Sequence, residues 1–129
     1  MKVENCEIKD EYVSCTKETP ISEVARLMVN RHVDSVIVTE NNRPVGVISV
    51  YDIVTRVVAN GRDVNVTKAG DVMTTPIEVA KIDEDLIGVA KKMTSKRLFA
   101  IPVVNKVGEL LGVVSLRDVL KTITGKEHV

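Results

Sequence analysis

Aromatic residues are almost absent from this chain of 129 residues, which has two tyrosines, one phenylalanine and no tryptophan. Proteins that bind single-stranded nucleic acid stack bases on aromatic side chains, and that platform is missing here. Basic and acidic residues both number 18, so the formal net charge is zero. There is no excess of positive charge to attract a phosphate backbone. We therefore expect no nucleic-acid partner.

The sequence also lacks the marks of a metal site, a disulfide scaffold and a membrane protein. Cys6 and Cys15 are the only cysteines, they form no C-x-x-C pair, and the histidines lie far from both. The longest apolar stretches, such as 100–104, fall far short of the roughly 20 residues that span a bilayer. Residues 1–10 are rich in charge and have no signal-peptide core. We expect a cytoplasmic protein without a metal or a membrane contact.

What the chain contains instead is aliphatic, with 25 valines and 10 isoleucines. Branched apolar side chains of this kind suit buried strands. There is no phosphate-binding loop of the G-x-x-x-x-G-K-[ST] type and no G-x-G-x-x-G motif. No nucleophile with an oriented base and no pair of carboxylates around a reactive bond is visible either. We therefore expect no catalytic activity and no catalytic cofactor.

The chain repeats itself at an offset of 65 residues, which becomes 66 after the turn at 43–45. The identical pairs are Val24/Val89, Ala25/Ala90, Met28/Met93, Val38/Val103, Gly46/Gly112, Val47/Val113, Ser49/Ser115 and Asp52/Asp118. We place the first repeat at 8–60, a polar linker at 61–70, and the second repeat at 71–125, opened by residues 71–74.

Each repeat predicts its first helix from apolar periodicity. Apolar residues recur at i, i+3, i+4 and i+7 from Ile21 and again from Leu86. We expect Thr19 to cap the first of these helices, with Pro20 at its first helical position, and Asp83 to cap the second. Basic residues close both helices, which is favourable to the helix dipole.

Strands and a second helix follow in the same order in both repeats, so each is predicted to be β-α-β-β-α. The first repeat has predicted strands at 12–16, 35–39 and a run ending at 49, with a helix at 49–60 stopped by Gly61. The second repeat has predicted strands at 100–104 and a run ending at 115, with a helix at 115–124 stopped by Gly125.

These elements predict an α/β (α+β) fold in which two β-α-β-β-α repeats pack sheet to sheet with pseudo-two-fold symmetry. A unit of about 50–60 residues has a marginal core by itself, so burial of one copy against the other is expected. Two equivalent clefts would then lie where the copies meet.

A duplicated pattern, glycine-hydrophobic-hydrophobic-serine-x-x-aspartate at 46–52 and 112–118, resembles the tandem cystathionine β-synthase (CBS) domain pair, or Bateman module. The resemblance extends over about residues 8–124. It includes the hydrophobic-Pro-Val strand at 100–104 and the phrase at 71–74 that opens many repeats of the family.

The resemblance implies that the aspartate of each motif binds the ribose hydroxyls of an adenosine-type ligand, with the serine near ribose or phosphate. A carboxylate accepts hydrogen bonds from two adjacent hydroxyls, and the first turn of a helix offers free backbone N–H groups to a phosphate. Apolar residues before the motif and on the strands would form a slot for a flat base. The residues so implied are Val47, Ser49, Asp52, Ile101, Pro102, Val113, Ser115 and Asp118.

The two implied sites differ. Arg117 and Lys121 share a helix face at i, i+4 and are candidate phosphate contacts, whereas the first repeat has Tyr51 and Thr55 at these positions. The first repeat also has Ile37 in place of the strand proline, and residues 8–9 in place of 73–74. This asymmetry indicates that the sites prefer different ligands, or that one stays empty.

A purely structural interpretation stands beside the functional one. Serine followed three residues later by an acid is close to a helix capping box, which proteins use for stability alone. Capping does not require the glycine upstream or the same arrangement in both repeats, and it is compatible with binding.

We consider two functions. The first is a regulatory module that binds AMP, ADP, ATP, S-adenosylmethionine or a nicotinamide nucleotide and passes the ligand state to a separate protein. The second is a ligand-independent dimerisation or assembly module. Its interface would be the apolar helix stripes formed by Ile53, Val54, Val57, Val58, Val119, Leu120 and Ile123.

Overall fold

The computed structural model describes residues 1–9 and 12–125 and contains the same order of elements twice. A 3-10 turn at Val3–Asn5 precedes the first set: β1 (Ser14–Cys15), α1 (Ile21–Arg31), β2 (Ser35–Glu40), β3 (Arg43–Ser49) and α2 (Val50–Ile53). The second set follows a short helix α3 (Ala69–Val72) and comprises β4 (Ala80–Lys81), α4 (Leu86–Ser95), β5 (Ala100–Val104), β6 (Leu110–Ser115) and α5 (Leu116–Thr124). The predicted mixed α/β class and the β-α-β-β-α order are confirmed.

Each set of strands forms its own three-stranded sheet. β1 is parallel to β2, which is antiparallel to β3, and β4, β5 and β6 repeat this arrangement. Between β2 and β3, Asn41 and Asn42 both have positive φ, 52° and 60°, which suits a tight hairpin turn between strands of right-handed twist. The register pairs Pro102 with Val113. This pairing places Pro102 beside the end of β6, which leads into α5.

The start of α1 differs from the prediction. Pro20 has extended backbone angles and lies at the N-cap position, and no side chain caps the helix, so the expectation for Thr19 was wrong. The hydroxyl oxygen of Thr19 instead accepts a hydrogen bond from the N–H of Thr16 at 3.1 Å. The N–H of Ile21, which has no partner within the helix, donates to the carbonyl of Thr67 at 2.9 Å. The segment that follows α2 therefore supplies a hydrogen-bond acceptor for the first turn of α1.

The start of α4 is also shifted from the prediction. The carboxylate of Asp85, and not that of Asp83, accepts a hydrogen bond from the N–H of Gly88 at 2.9 Å. Asp83 lies within the turn that leads into the helix, two residues before the N-cap position at Asp85.

The helix after β3 is less regular than the predicted span of 49–60. α2 is α-helical for one turn and continues as a π-helical segment at Val54–Val58, whereas α5 is α-helical throughout. Gly61 and Gly125 both have positive φ, as expected of glycines that end these helices.

The chain separates into two compact units that do not coincide with the sequence repeats. Residues 12–77 form the first-repeat unit; residues 78–125 together with the N-terminal segment 1–9 form the second-repeat unit. Each unit has its own core of sheet and helix side chains. In the first-repeat unit Ala69 and Val72 of α3 are part of this core, and in the second-repeat unit Val3 is. By packing, residues 71–74 therefore complete the first repeat, although by sequence they resemble the opening of the second.

The apolar helix stripes are divided between core and surface. Val57 and Val119 are fully buried in the two cores. Val54, Val58 and Leu120 are exposed. Among the described residues no helix combines the length and the apolar character needed to cross a membrane.

Candidate functional site

The first site surrounds Asp52, where β3 passes into α2. The hydroxyl oxygen of Ser49 accepts a hydrogen bond from the N–H of Asp52 at 3.0 Å, and Oδ2 of Asp52 accepts one from the N–H of Ser49 at 2.8 Å. This reciprocal pair is a capping box. Asp52 is only 8% exposed, so its carboxylate is a buried charge that needs polar partners.

Two further side chains face the carboxylate of Asp52. Nε of Arg56 lies 3.8 Å from Oδ1, and the hydroxyl of Thr74 lies 3.4 Å from both oxygens. Nη1 of Arg56 donates to the carbonyls of Val72 and Met73, at 2.9 and 3.3 Å. Arg56 thus ties the segment that carries Thr74 to the helix that carries Asp52.

The second site surrounds Asp118, where β6 passes into α5. The hydroxyl oxygen of Ser115 accepts from the N–H of Asp118 at 3.1 Å and donates to Oδ2 of Asp118 at 2.8 Å. Asp118 is 6% exposed. Its charged partner is Lys9, whose Nζ lies 3.7 Å from Oδ2 and whose side chain is 56% exposed. Both serines therefore cap their helices, as the structural interpretation of the motif requires.

Lys9 and Thr74 occupy equivalent places. Thr74 exchanges two backbone hydrogen bonds with Val47, at 2.8 and 3.2 Å, and Lys9 exchanges two with Val113, both at 2.9 Å. Each residue is thereby held beside the strand that leads to the motif aspartate. In both units, a segment remote in sequence supplies the side chain that lies nearest the carboxylate after the capping serine.

The glycine of the motif makes room for this segment. A Cβ built on Gly112 would lie 2.5 Å from the backbone oxygen of Lys9, and one built on Gly46 would lie 2.5 Å from the sulfur of Met73. The glycine that capping alone does not explain thus has a packing role, because it permits the close approach that delivers Lys9 or Thr74 to the carboxylate.

The other predicted residues lie at different depths. Val47 of β3 and Val113 of β6 are half-buried and occupy equivalent positions of the two repeats. Pro102 is buried and is the strand partner of Val113. Ile101 is fully buried in the core of the second-repeat unit. Arg117 is exposed on the first turn of α5.

Sequence reasoning missed three residues at these sites: Arg56, Thr74 and Lys9. The spacing i, i+4 from Asp52 was a usable signal for Arg56. Lys9 and Thr74 gave no local signal, because strand-like pairing with a distant segment brings them to their carboxylates. Within the described chain, no group of three or more histidine, cysteine, aspartate or glutamate side chains is placed to hold a metal ion.

Known proteins with similar sequences support this description. The sequence profile of the CBS domain matches the chain twice, at 4–59 and 69–125. An uncharacterized protein of Methanopyrus kandleri is 31% identical over 114 residues, which are 88% of this chain and 58% of that protein. The chain spans 58%, 25% and 57% of the lengths of the first three curated relatives that it matches.

Solved structures show the same fold. A CBS domain protein of Pyrobaculum aerophilum in complex with AMP is 29% identical, with a TM-score of 0.81, and the match covers 96% of this chain and 99% of that one. The cytosolic domain of the Mg2+ channel MgtE in complex with ATP is 25% identical, with a TM-score of 0.75 and coverage of 88% and 46%.

The twofold profile match agrees with the two β-α-β-β-α sets and with the duplicated serine-aspartate sites. Domains of this kind are in general regulatory and not catalytic. The chain belongs to the CBS domain family and contains two such domains in tandem.

Proposed function

We propose that this chain is a regulatory module that binds adenosine-type nucleotides, of the AMP, ADP, ATP or S-adenosylmethionine class, and transmits its ligand state to a partner protein. The ligand binds at the first site through Ser49 and Asp52, and at the second through Ser115 and Asp118. The nucleotide is a ligand and not a catalytic cofactor. The two cysteines are free thiols, which fits a reducing, cytoplasmic setting.

The observation that carries the proposal is that each largely buried motif aspartate keeps one carboxylate oxygen open to further donors. One oxygen of each aspartate accepts a short hydrogen bond, from Ser49 or Ser115. Among the described residues, the other oxygen of Asp52 has partners only at 3.4 and 3.8 Å, and that of Asp118 has none. These distances are long for hydrogen bonds to a charged acceptor. Two adjacent ribose hydroxyls would supply further donors to these oxygens.

Similar proteins support the adenosine class. The Pyrobaculum aerophilum protein was solved with AMP and the MgtE cytosolic domain with ATP. Both ligands contain the adenosine ribose that a carboxylate would recognise. Half-buried Val47 and Val113 beside the motifs offer apolar surface for the base.

The test is a thermal-shift panel with AMP, ADP, ATP, GTP, S-adenosylmethionine and NAD on the wild type and on Asp52→Ala and Asp118→Ala. A ligand at 100 times its Kd stabilises by about 2.7 kcal/mol, which for a chain of this size is a shift on the order of 10 °C. We expect this shift with adenosine ligands and not with GTP, and its loss in at least one aspartate variant.

Matched controls separate binding from capping. Asp71 accepts a hydrogen bond from the N–H of Lys68 at 3.1 Å in the first-repeat unit, and Asp85 accepts from Gly88 at 2.9 Å in the second. Asp71→Ala and Asp85→Ala therefore remove an acidic cap from each unit without removing a side chain that contacts a motif aspartate. Both are expected to lower stability by about 1 kcal/mol and to leave the ligand shift intact.

An assembly module is the second candidate, favoured by exposed apolar side chains of Val50, Val54 and Val58 along one helix face. A dimer by light scattering, no ligand shift in the panel, and aspartate variants that behave like the cap controls would establish this alternative and refute nucleotide binding.

A further inference from the structure

The two sites are built alike but carry different charges at equivalent positions. Asp34, whose backbone carbonyl accepts the N–H of Val50 at 2.9 Å, is a second acidic residue at the start of α2. Together with Asp52 and Arg56, it gives these positions of the first repeat a net charge of −1. The position equivalent to Asp34 in the second repeat is Phe99, which carries no charge.

The second site has the opposite balance. Lys9 stands where the first site has Thr74, and Arg117 and Lys121 stand where it has Tyr51 and Thr55. Together with the single carboxylate of Asp118, these three cations give a net charge of +2. Among the described residues, neither Arg117 nor Lys121 makes an ion pair or a side-chain hydrogen bond.

The cation of the first site is already engaged by groups of its own unit. Arg56 faces Asp52 at 3.8 Å with Nε, and its Nη1 donates to the carbonyls of Val72 and Met73 at 2.9 and 3.3 Å. To contact a phosphate, the guanidinium would have to leave two backbone carbonyls and the aspartate. Arg56 therefore acts as a tie within the unit.

The cation of the second site is held far more loosely. The backbone of Lys9 is fixed by its two hydrogen bonds to Val113, but its ammonium has a single described contact, the 3.7 Å ion pair with Asp118. Such a half-exposed pair is weak in water. When ribose hydroxyls take over the carboxylate of Asp118, the ammonium can turn to a neighbouring phosphate at little cost.

We infer that the two sites divide adenosine ligands by charge: the second site takes the anionic, phosphate-bearing ligand, with Lys9 as a phosphate contact, and the first site takes an uncharged or cationic one. This inference rests on the proposed function. It assigns Lys9 as the residue that sets specificity at the second site.

The experiment measures each site alone by calorimetric titration of the full chain in EDTA, with adenosine as the neutral probe and ATP as the anionic one. The Asp52→Ala background isolates the second site, and the Asp118→Ala background isolates the first. In the Asp52→Ala background we expect ATP to bind more tightly than adenosine. Adding Lys9→Met should weaken ATP about tenfold and leave adenosine within about twofold, because only the phosphate loses a charge-assisted hydrogen bond.

Two further variants keep the test decisive. Lys106→Met removes the same charge from an exposed turn of the same unit and should not change the ratio of ATP to adenosine affinity. Thr74→Lys, in the Asp118→Ala background, places an ammonium at the equivalent position of the first site. It should increase the affinity of that site for ATP several-fold relative to its affinity for adenosine.

The outcomes distinguish the two levels of the argument. If Lys9→Met weakens both probes equally or neither, and Thr74→Lys adds nothing for ATP, the inference is wrong while nucleotide binding stands. If neither probe binds the wild type and no ligand of the thermal-shift panel stabilises it, the proposed function itself fails, and the division by charge with it.

Discussion

Asp52 and Asp118 show how one residue serves both stability and binding. Each lies three residues after a capping serine and makes hydrogen bonds within that cap. A carboxylate has several acceptor positions, so a cap leaves room for further donors. A capping role is therefore compatible with ligand binding at the same aspartate. The decisive measurement is whether an aspartate variant loses the ligand-induced thermal shift, in addition to the stability that is lost with the cap.

Cys15 allows a prediction about stability and pH. Burial raises the pKa of its thiol to about 11, above the ordinary 9.0, while the hydrogen bond with Thr19 acts in the opposite direction. The thiol stays neutral in the folded protein where it would ionise in the unfolded chain. The contribution of this thiol to the free energy of unfolding is thus fully present below about pH 9 and is lost as the pH rises towards 11.

We expect the free energy of unfolding of the wild type to fall between pH 9 and 11 by roughly 1 to 2 kcal/mol more than that of Cys15→Ala. Urea denaturation at several pH values measures this difference, and the cavity left by alanine adds only an offset that does not vary with pH. Parallel curves for the two proteins would contradict the prediction.

Among the secondary-structure elements, the strands β3 and β6 show why the motif glycines matter. Both lie directly against a crossing segment, but the contacts differ in kind. Gly112 faces the backbone of Lys9, which is fixed by hydrogen bonds, whereas Gly46 faces the flexible side chain of Met73. The same substitution should therefore have unequal costs in the two repeats.

We expect Gly112→Ala to lower the free energy of unfolding by about 2 kcal/mol or more, and Gly46→Ala by clearly less, because a methionine side chain can move and a paired backbone cannot. Each variant serves as the control for the other in chemical denaturation. Equal losses, or a greater loss at Gly46, would show that the close approach at Gly112 is not the limiting contact.

Over the whole molecule, each sequence repeat is completed by a segment that precedes the other repeat. The N-terminal segment packs in the second-repeat unit, where Val3 is 1% exposed, and the segment after Asn60 packs in the first-repeat unit. Residues 71–74, which belong to the second repeat by sequence, therefore pack in the first-repeat unit, and residues 8–9, which belong to the first repeat by sequence, pack in the second-repeat unit.

Val3→Ala tests this exchange of segments. We expect it to lower the free energy of unfolding by about 2 kcal/mol, from lost burial and the cavity left behind. Hydrogen exchange should increase in β5 and β6 more than in β2 and β3. Val66→Ala, at a valine that is 71% exposed, is the matched control and should change stability by less than about 0.5 kcal/mol. Faster exchange confined to β2 and β3 would refute the assignment.

Local pattern was sufficient to predict α1, α4, α5, the strands of both hairpins and the serine-aspartate motif, but it did not indicate α3 or β4. The spacing from Ile21 and Leu86 gave buried helix faces, because side-chain periodicity is set within a few residues of chain. The capping boxes at Ser49 and Ser115 followed from residues three apart for the same reason. The internal repeat then indicated the family.

The caps of α1 and α4 and the partners of the two carboxylates required the tertiary structure. Thr67 satisfies the start of α1, and Lys9 reaches Asp118 across more than 100 residues of sequence. Such contacts depend on which distant backbone pairs with which strand, and many pairings are compatible with the same local pattern. The sequence by itself therefore determined the two repeats and where their aspartates lie, whereas only the fold decided that a loosely held lysine faces one and a tied arginine the other.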